Sequence, residues 1–163
     1  MKHAIEFTDI PEKVLIKAIK RSKKLGRLHN SITKGAGNLA GYIGQILVAE
    51  TLGAKDVDKA NYDLELNGVT YEVKTKRCTS KPKAEYECSV SKFNDKQQCD
   101  YYVFVRVKED LSKAWILGRK ARADFFKEAR ECKAGEVDEK SDRGWKFRAD
   151  CFNIEIGELD PLM

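Results

Sequence analysis

The stretch NYDLELNGVTYEVKTKRC, Asn61 to Cys78, holds an Asn67-Gly68 pair between two runs of β-forming residues. A type I′ turn needs positive φ at both central positions, which Asn and Gly tolerate best, so the pair predicts a two-residue hairpin. With those two residues as the loop, Leu66 faces Val69, Glu65 faces Thr70, Leu64 faces Tyr71 and Asp63 faces Glu72. Side chains alternate along a strand, so Leu64, Leu66, Val69, Tyr71 and Val73 form an apolar face while Asp63, Glu72 and Lys74 share the other. Carboxylates directly opposite each other destabilise a sheet, so this polar face calls for positive charge between them. Lys74 is one candidate for that charge, and a divalent metal is the other.

A chain of 163 residues, 42% hydrophobic and 35% charged, fits one globular domain with a core of ordinary size. Its net charge of +5 is too modest to separate a solvated lysine-rich surface from a nucleic-acid partner. The five cysteines, Cys78, Cys88, Cys99, Cys132 and Cys151, form no CxxC pair and leave one over. Neither a disulfide framework nor a zinc site is expected, and reduced thiols fit a cytoplasmic location. No apolar run approaches the roughly 20 residues needed to span a bilayer, so no membrane partner is expected. The start MKHAIEFTDIPEK lacks the apolar segment of a signal peptide.

Along the chain, Asp9, Pro11 and Glu12 read as a helix start, with Val14, Leu15, Ala18, Ile19 and Leu25 at helical spacing until Gly26. The opposite face carries Lys13, Lys17, Lys20, Arg21 and Lys24, which suits either solvent or phosphate groups. A second helix runs from Asn38 to a stop at Gly53, with Leu39, Ile43, Ile46 and Leu47 on its buried stripe. After the hairpin, Glu85 to Val90 alternates as a third strand, SKFNDKQQC suits a short helix, and Tyr101 to Val107 reads as a central strand. AWILG reads as a strand, a helix follows from about Ala123, and KFRADCFNIEI closes the chain as one or two strands. The loop Asp138 to Trp145 is expected to be the most mobile surface segment. The order predicts an α/β domain with a mixed sheet: a basic N-terminal helix over 9–26, a core over about 36–108, and a C-terminal helix with strands over 113–163.

Asp63, then Glu72-Val73-Lys74 across a hairpin, preceded by a glycine-containing helix, resembles the PD-(D/E)XK nuclease superfamily, whose restriction-endonuclease-like fold has an αβββαβ core. The resemblance spans about Asn38 to Val107, and the tail GRKARADFF…FNIEIGELDPL is similar to what small phage and archaeal members append. Tyr62 stands where the proline of the family name would be, and Gln45 stands where an acid is common on the first core helix. The resemblance implies a metal-dependent DNA endonuclease, with Asp63, Glu72 and the carbonyl of Val73 as metal ligands, Lys74 as the residue that positions water, and Gln45 at the edge of the site. Mg²⁺ suits two carboxylates plus phosphate oxygens, and Mn²⁺ is expected to substitute. Lys76, Arg77, Lys81 and Lys83 beside the site would contact phosphates without reading sequence.

Alternatives stay open: a structure-selective, junction-resolvase-like enzyme with the same chemistry, or a DNA-binding module of the same fold without catalysis. A homodimer is the simplest way to present two sites to antiparallel strands if both are cut at once. The helical wheel leaves Gln45 and Glu50 both eligible for the helix position, because at 100° per residue they lie about 140° apart and cannot both face one site. His3 and His29 have no partner in sequence and read as ordinary surface or core residues. Trp115 and Phe104 are expected in the core, Tyr101 and Tyr102 on opposite faces, and Gln97 and Gln98 on a helix surface.

Overall fold

The computed structural model describes residues 3–25, 38–57, 59–95 and 97–163; Gly26 and His29 lie outside them. In chain order the elements are β1 (Ile5–Phe7), α1 (Glu12–Leu25), α2 (Asn38–Leu52), β2 (Lys55–Asp56), β3 (Leu64–Leu66), β4 (Val69–Cys78), β5 (Glu87–Ser91), β6 (Tyr101–Lys108), β7 (Ala114–Ala121), α3 (Arg122–Glu128), β8 (Arg130–Cys132) and β9 (Cys151–Glu155). Single 3-10 turns lie at Lys92–Asn94 and Ile156–Glu158.

The hairpin closes as its turn chemistry requires. Asn67 has φ 51° and Gly68 φ 82°, and β3 pairs with β4 through Leu64↔Tyr71, Glu65↔Thr70 and Leu66↔Val69. Strands β2, β3 and β4 form an antiparallel meander, while β6 lies parallel to β4 on its other side. Adding β7 and then β1 completes a mixed six-stranded sheet in the order β1-β7-β6-β4-β3-β2. The chain is therefore an α/β protein with a mixed central sheet and flanking helices.

The alternation read from the hairpin decides which face each layer covers. Leu64, Tyr71, Val103, Val105 and Ile116 pack with Ile43, Leu47 and Val48 of α2 and with Val14 and Ala18 of α1. Helix α2 comes so close to β4 that a methyl group on Gly44 would lie 2.1 Å from Thr75 Oγ1, which only glycine avoids. On the opposite face Tyr102, Phe104, Trp115 and Leu117 meet Phe125 of α3 and Cys88, Val90 and Ile154 of a second, three-stranded sheet. That sheet has the order β5-β9-β8 and is antiparallel throughout.

Several expectations shift. The strand expected over Glu85 to Val90 exists as Glu87–Ser91 but pairs with β9, outside the large sheet, and Lys55–Asp56 takes the third place in the meander. The C-terminal helix ends at Glu128 because Ala129 turns extended (φ −67°, ψ 143°), which frees Arg130–Cys132 to pair with β9. Ile19 is exposed, whereas Val14 and Ala18 are fully buried in the core. Trp115 and Phe104 are buried as expected. No helix among the described residues is long and apolar enough to cross a membrane.

Candidate active site

Residues two apart on a strand share a face, and this rule brings Glu72 and Lys74 together on the side of β4 opposite α1 and α2. Lys74 Nζ donates to Glu72 Oε1 at 2.8 Å and to Gln97 Oε1 at 2.9 Å, and Gln97 Nε2 donates to the same Glu72 oxygen at 2.9 Å. Glu72 is only 8% exposed, so its charge needs these partners. A buried ion pair is held only when further hydrogen bonds satisfy the remaining groups, and Gln97 supplies one to each partner.

The parallel neighbour β6 forms the floor beside this triangle. Tyr102 and Phe104 pair with Glu72 and Lys74, and Lys74 Nζ lies 5.9 Å from the Tyr102 ring centroid. Burial pushes the Tyr102 phenol up, and burial together with the nearby Glu72 carboxylate pushes the Cys99 thiol up to about 11. Both groups therefore stay protonated at neutral pH. Tyr101 points the other way and stacks on Tyr71, ring centroids 5.7 Å apart.

Gln97 reaches the site because the connection between the 3-10 turn and β6 is tied at several points. Its backbone N–H donates to the Asn94 carbonyl at 3.1 Å, and Arg122 Nη2 donates to the Asp95 carbonyl at 2.5 Å. Asp100 Oδ2 accepts from the Thr70 N–H and hydroxyl at 2.8 and 2.9 Å, anchoring the connection to β4. Gln97 is thus part of the site rather than a helix-surface residue. The signal for it is topological: a strand parallel to β4 must begin beside Glu72, so the residues leading into Tyr101 pass over the site.

Asp63 arrives differently from the simple hairpin expectation. The β3–β4 ladder stops at Leu64↔Tyr71, so Asp63 is not a ladder partner of Glu72. Its backbone N–H donates to the Tyr71 carbonyl at 2.9 Å, and its Oδ2 accepts the Val73 N–H at 2.8 Å. The carboxylate therefore meets the edge of β4 at the residue between Glu72 and Lys74. Each acid thus has its own donor, the Val73 amide for Asp63 and Lys74 for Glu72.

Gln45 is not brought to this group. It sits on α2, against the other face of the sheet, 5% exposed, and its Nε2 donates to Asp56 Oδ1 at 2.9 Å. Arg21 Nη1 donates to Asp56 Oδ2 at 2.6 Å, so Asp56 joins α1 and α2 to the sheet edge. Glu50 is on the α2 surface, 3.3 Å from Lys13. Neither helix residue hydrogen-bonds or ion-pairs with Glu72 or Lys74.

The four flanking cations also separate. Lys76 shares the face of Glu72 and Lys74, whereas Arg77 alternates to the other side. Lys81 pairs with Glu6 at 2.7 Å, and Lys83 Nζ lies 6.0 Å from the Tyr86 ring centroid. His3 is exposed.

Among the described residues no group of three or more His, Cys, Asp or Glu side chains is placed to hold a metal ion. Asp63 and Glu72 supply two carboxylates, and Glu72 Oε2 accepts no hydrogen bond from the described residues. This donor set fits a hard cation that takes one or two carboxylates and completes its shell with water and phosphate, and it does not fit an all-protein cage. No protein-family model matches the chain, and no curated protein matches its sequence.

Proposed function

We propose that this protein is a metal-dependent DNA endonuclease of the PD-(D/E)XK superfamily, hydrolysing phosphodiester bonds at Asp63, Glu72 and Lys74. The observation that carries this reading is the buried Glu72–Lys74 pair at 2.8 Å, with the Asp63 carboxylate on the Val73 amide between them. Helix α2, the meander β2–β4 and the parallel return at β6 support the restriction-endonuclease-like core. In place of the second core helix the chain has β5 and one 3-10 turn.

Asp63 and Glu72 would hold Mg²⁺ or Mn²⁺, with the Val73 carbonyl as a further oxygen by resemblance. When bound, the ion supplies charge neutralisation at the phosphate and acidifies water. Lys74, held by Glu72 and Gln97, orients the attacking water and balances negative charge as it grows on the phosphate. Gln97 keeps the ammonium aimed at the site, and Tyr102 and Phe104 exclude water from beneath it.

The test is incubation with supercoiled, linear and four-way-junction DNA, with and without Mg²⁺ or Mn²⁺. Cleavage that needs the ion and is lost in Glu72→Gln and Lys74→Ala supports the assignment, and wild-type rates in Glu72→Gln overturn it. Preference for the junction over linear duplex assigns the structure-selective form. A second reading, a DNA-binding module without catalysis, is favoured by the displacement of Gln45 and the absence of a third acid among the described residues. Tight DNA binding with no cleavage in either metal would select it.

A further inference from the structure

Beyond the Glu72–Lys74 pair, the same face of the large sheet continues to Lys76 on β4 and Arg106 on β6, which are direct Cα partners on parallel strands. Arg106 is only 6% exposed, yet its one hydrogen bond among the described residues runs from Nη2 to the Glu87 carbonyl at 2.5 Å. No carboxylate among the described residues lies within ion-pair distance of Arg106 or of Lys76. Glu87, whose carbonyl accepts from Arg106, and Asp138 are paired with other groups. Glu87 accepts from Arg130 at 3.1 Å on each oxygen and from Asn153 at 3.1 Å, and Lys140 lies 3.4 Å away. Asp138 faces Arg130 at 3.9 Å.

Buried charges in proteins are ordinarily paired, because an isolated ion loses its hydration without compensation. Two adjacent cations with no carboxylate at ion-pair distance depart from that rule, and because no Arg106 nitrogen is among the buried atoms left without a partner, the guanidinium still reaches solvent and an incoming anion. Partial burial of the ammonium, then the Arg106 charge beside it, hold Lys76 below the usual lysine range, although its side chain keeps an exposed surface. An anion between the two would remove both costs, and a guanidinium fork beside an ammonium suits phosphate oxygens.

We infer that Lys76 and Arg106 form a phosphate-binding site whose ligand is a backbone phosphate of the nucleic acid, neighbouring the one held at Lys74. Lys74 and Lys76 are two residues apart, about 6.6 Å along a strand. That separation is of the order of the distance between consecutive phosphates in one DNA strand. The nucleic-acid source rests on the function proposed above, while the anion site stands on the uncompensated cations alone. Arg106 is the part of this site that sequence spacing does not reveal, because it reaches Lys76 only through the parallel pairing of β6 with β4.

The experiment follows the Arg106 Nε–H resonance of ¹⁵N-labelled protein as inorganic phosphate is added at constant ionic strength. A saturable shift is expected in the wild type and lost in Lys76→Gln, with the amide spectrum otherwise unchanged. Lys76→Gln alters an exposed side chain, so the fold is kept and the Arg106 resonance remains to be followed. No saturable shift, or wild-type phosphate affinity in Lys76→Gln, overturns the site. A second arm measures duplex DNA binding against salt without divalent metal, so cleavage does not enter. The slope of log affinity on log salt should fall in magnitude by about 0.9 in Lys76→Gln, one phosphate contact. An unchanged slope beside a retained phosphate shift overturns the nucleic-acid source and assigns the site to small phosphate compounds. Neither arm reads catalysis, so both stand apart from the cleavage test.

Discussion

Gly44 on α2 and Thr75 on β4 touch so closely that a Cβ at residue 44 would stand 2.1 Å from Thr75 Oγ1. The Thr75 hydroxyl is buried and has no hydrogen-bond partner among the described residues, so it acts here only as volume. Gly44→Ala should lower stability by about 1–3 kcal/mol through overpacking. Thr75→Ala in the Gly44→Ala background should recover most of the loss, giving a favourable coupling in a double-mutant cycle measured by urea unfolding. Additive effects of the two changes would show that helix and strand do not meet at this point.

Gln97 closes the triangle with Glu72 and Lys74, bonding to one charged group at each end. Hydrogen bonds to charged groups contribute about 1.5–3 kcal/mol, so Gln97→Ala should cost an amount of that order in urea unfolding. A cost below about 0.5 kcal/mol, the range of ordinary surface substitutions, would place Gln97 outside the network.

Gln45 donates to Asp56, and Gln45→Glu sets a second carboxylate against the first in a site that is 5% exposed. The new acid should titrate above its unfolded value because burial and Asp56 both disfavour its charge. Stability of Gln45→Glu should therefore match the wild type most closely below about pH 4, the unfolded Glu range, and fall as pH rises through the raised folded value. Thermal melts of the two proteins from pH 4 to 8 test this. Glu50→Gln, which removes only a surface pair with Lys13, should change stability by less than about 0.5 kcal/mol.

Burial pushes the thiols of Cys88, Cys99 and Cys151 up to about 12, 11 and 11. An unfolded thiol ionises near pH 8.5, so each contributes stability that is fully present below that pH and is lost as pH rises toward the folded value. The urea midpoint should hold between pH 7 and 8 and decline from about pH 9 upward. Alkylation at pH 8 should modify Cys78, the half-buried thiol, before the four buried ones. Equal rates at all five would contradict the packing around β5 and β9.

The hairpin, its register and its apolar face were legible from Asn61 to Cys78 because a two-residue turn and a period of two are local properties. Helix α2 was legible for the same reason, its end marked by Gly53 at φ 67°. Glu72 and Lys74 were legible as a pair because residues two apart on a strand share a face whatever packs against them. Gln45 was drawn to the site by resemblance, and the structure instead spends its amide on Asp56, across the sheet from Lys74.

What local sequence could not decide was every relationship made by distant pairing. Gln97 meets Lys74, and Arg106 meets Lys76, only because β6 lies parallel to β4, and a parallel neighbour arrives through a long crossover whose destination no local pattern encodes. Glu87–Ser91 alternates as a strand must, yet alternation is the same in either sheet, and burial of Cys88 and Val90 against Ile154 assigned it to β9. The sequence by itself determined the hairpin and the two charged residues it presents. Tertiary structure decided their partners, because the free energy of burying a charge depends on what else the fold carries into the same space.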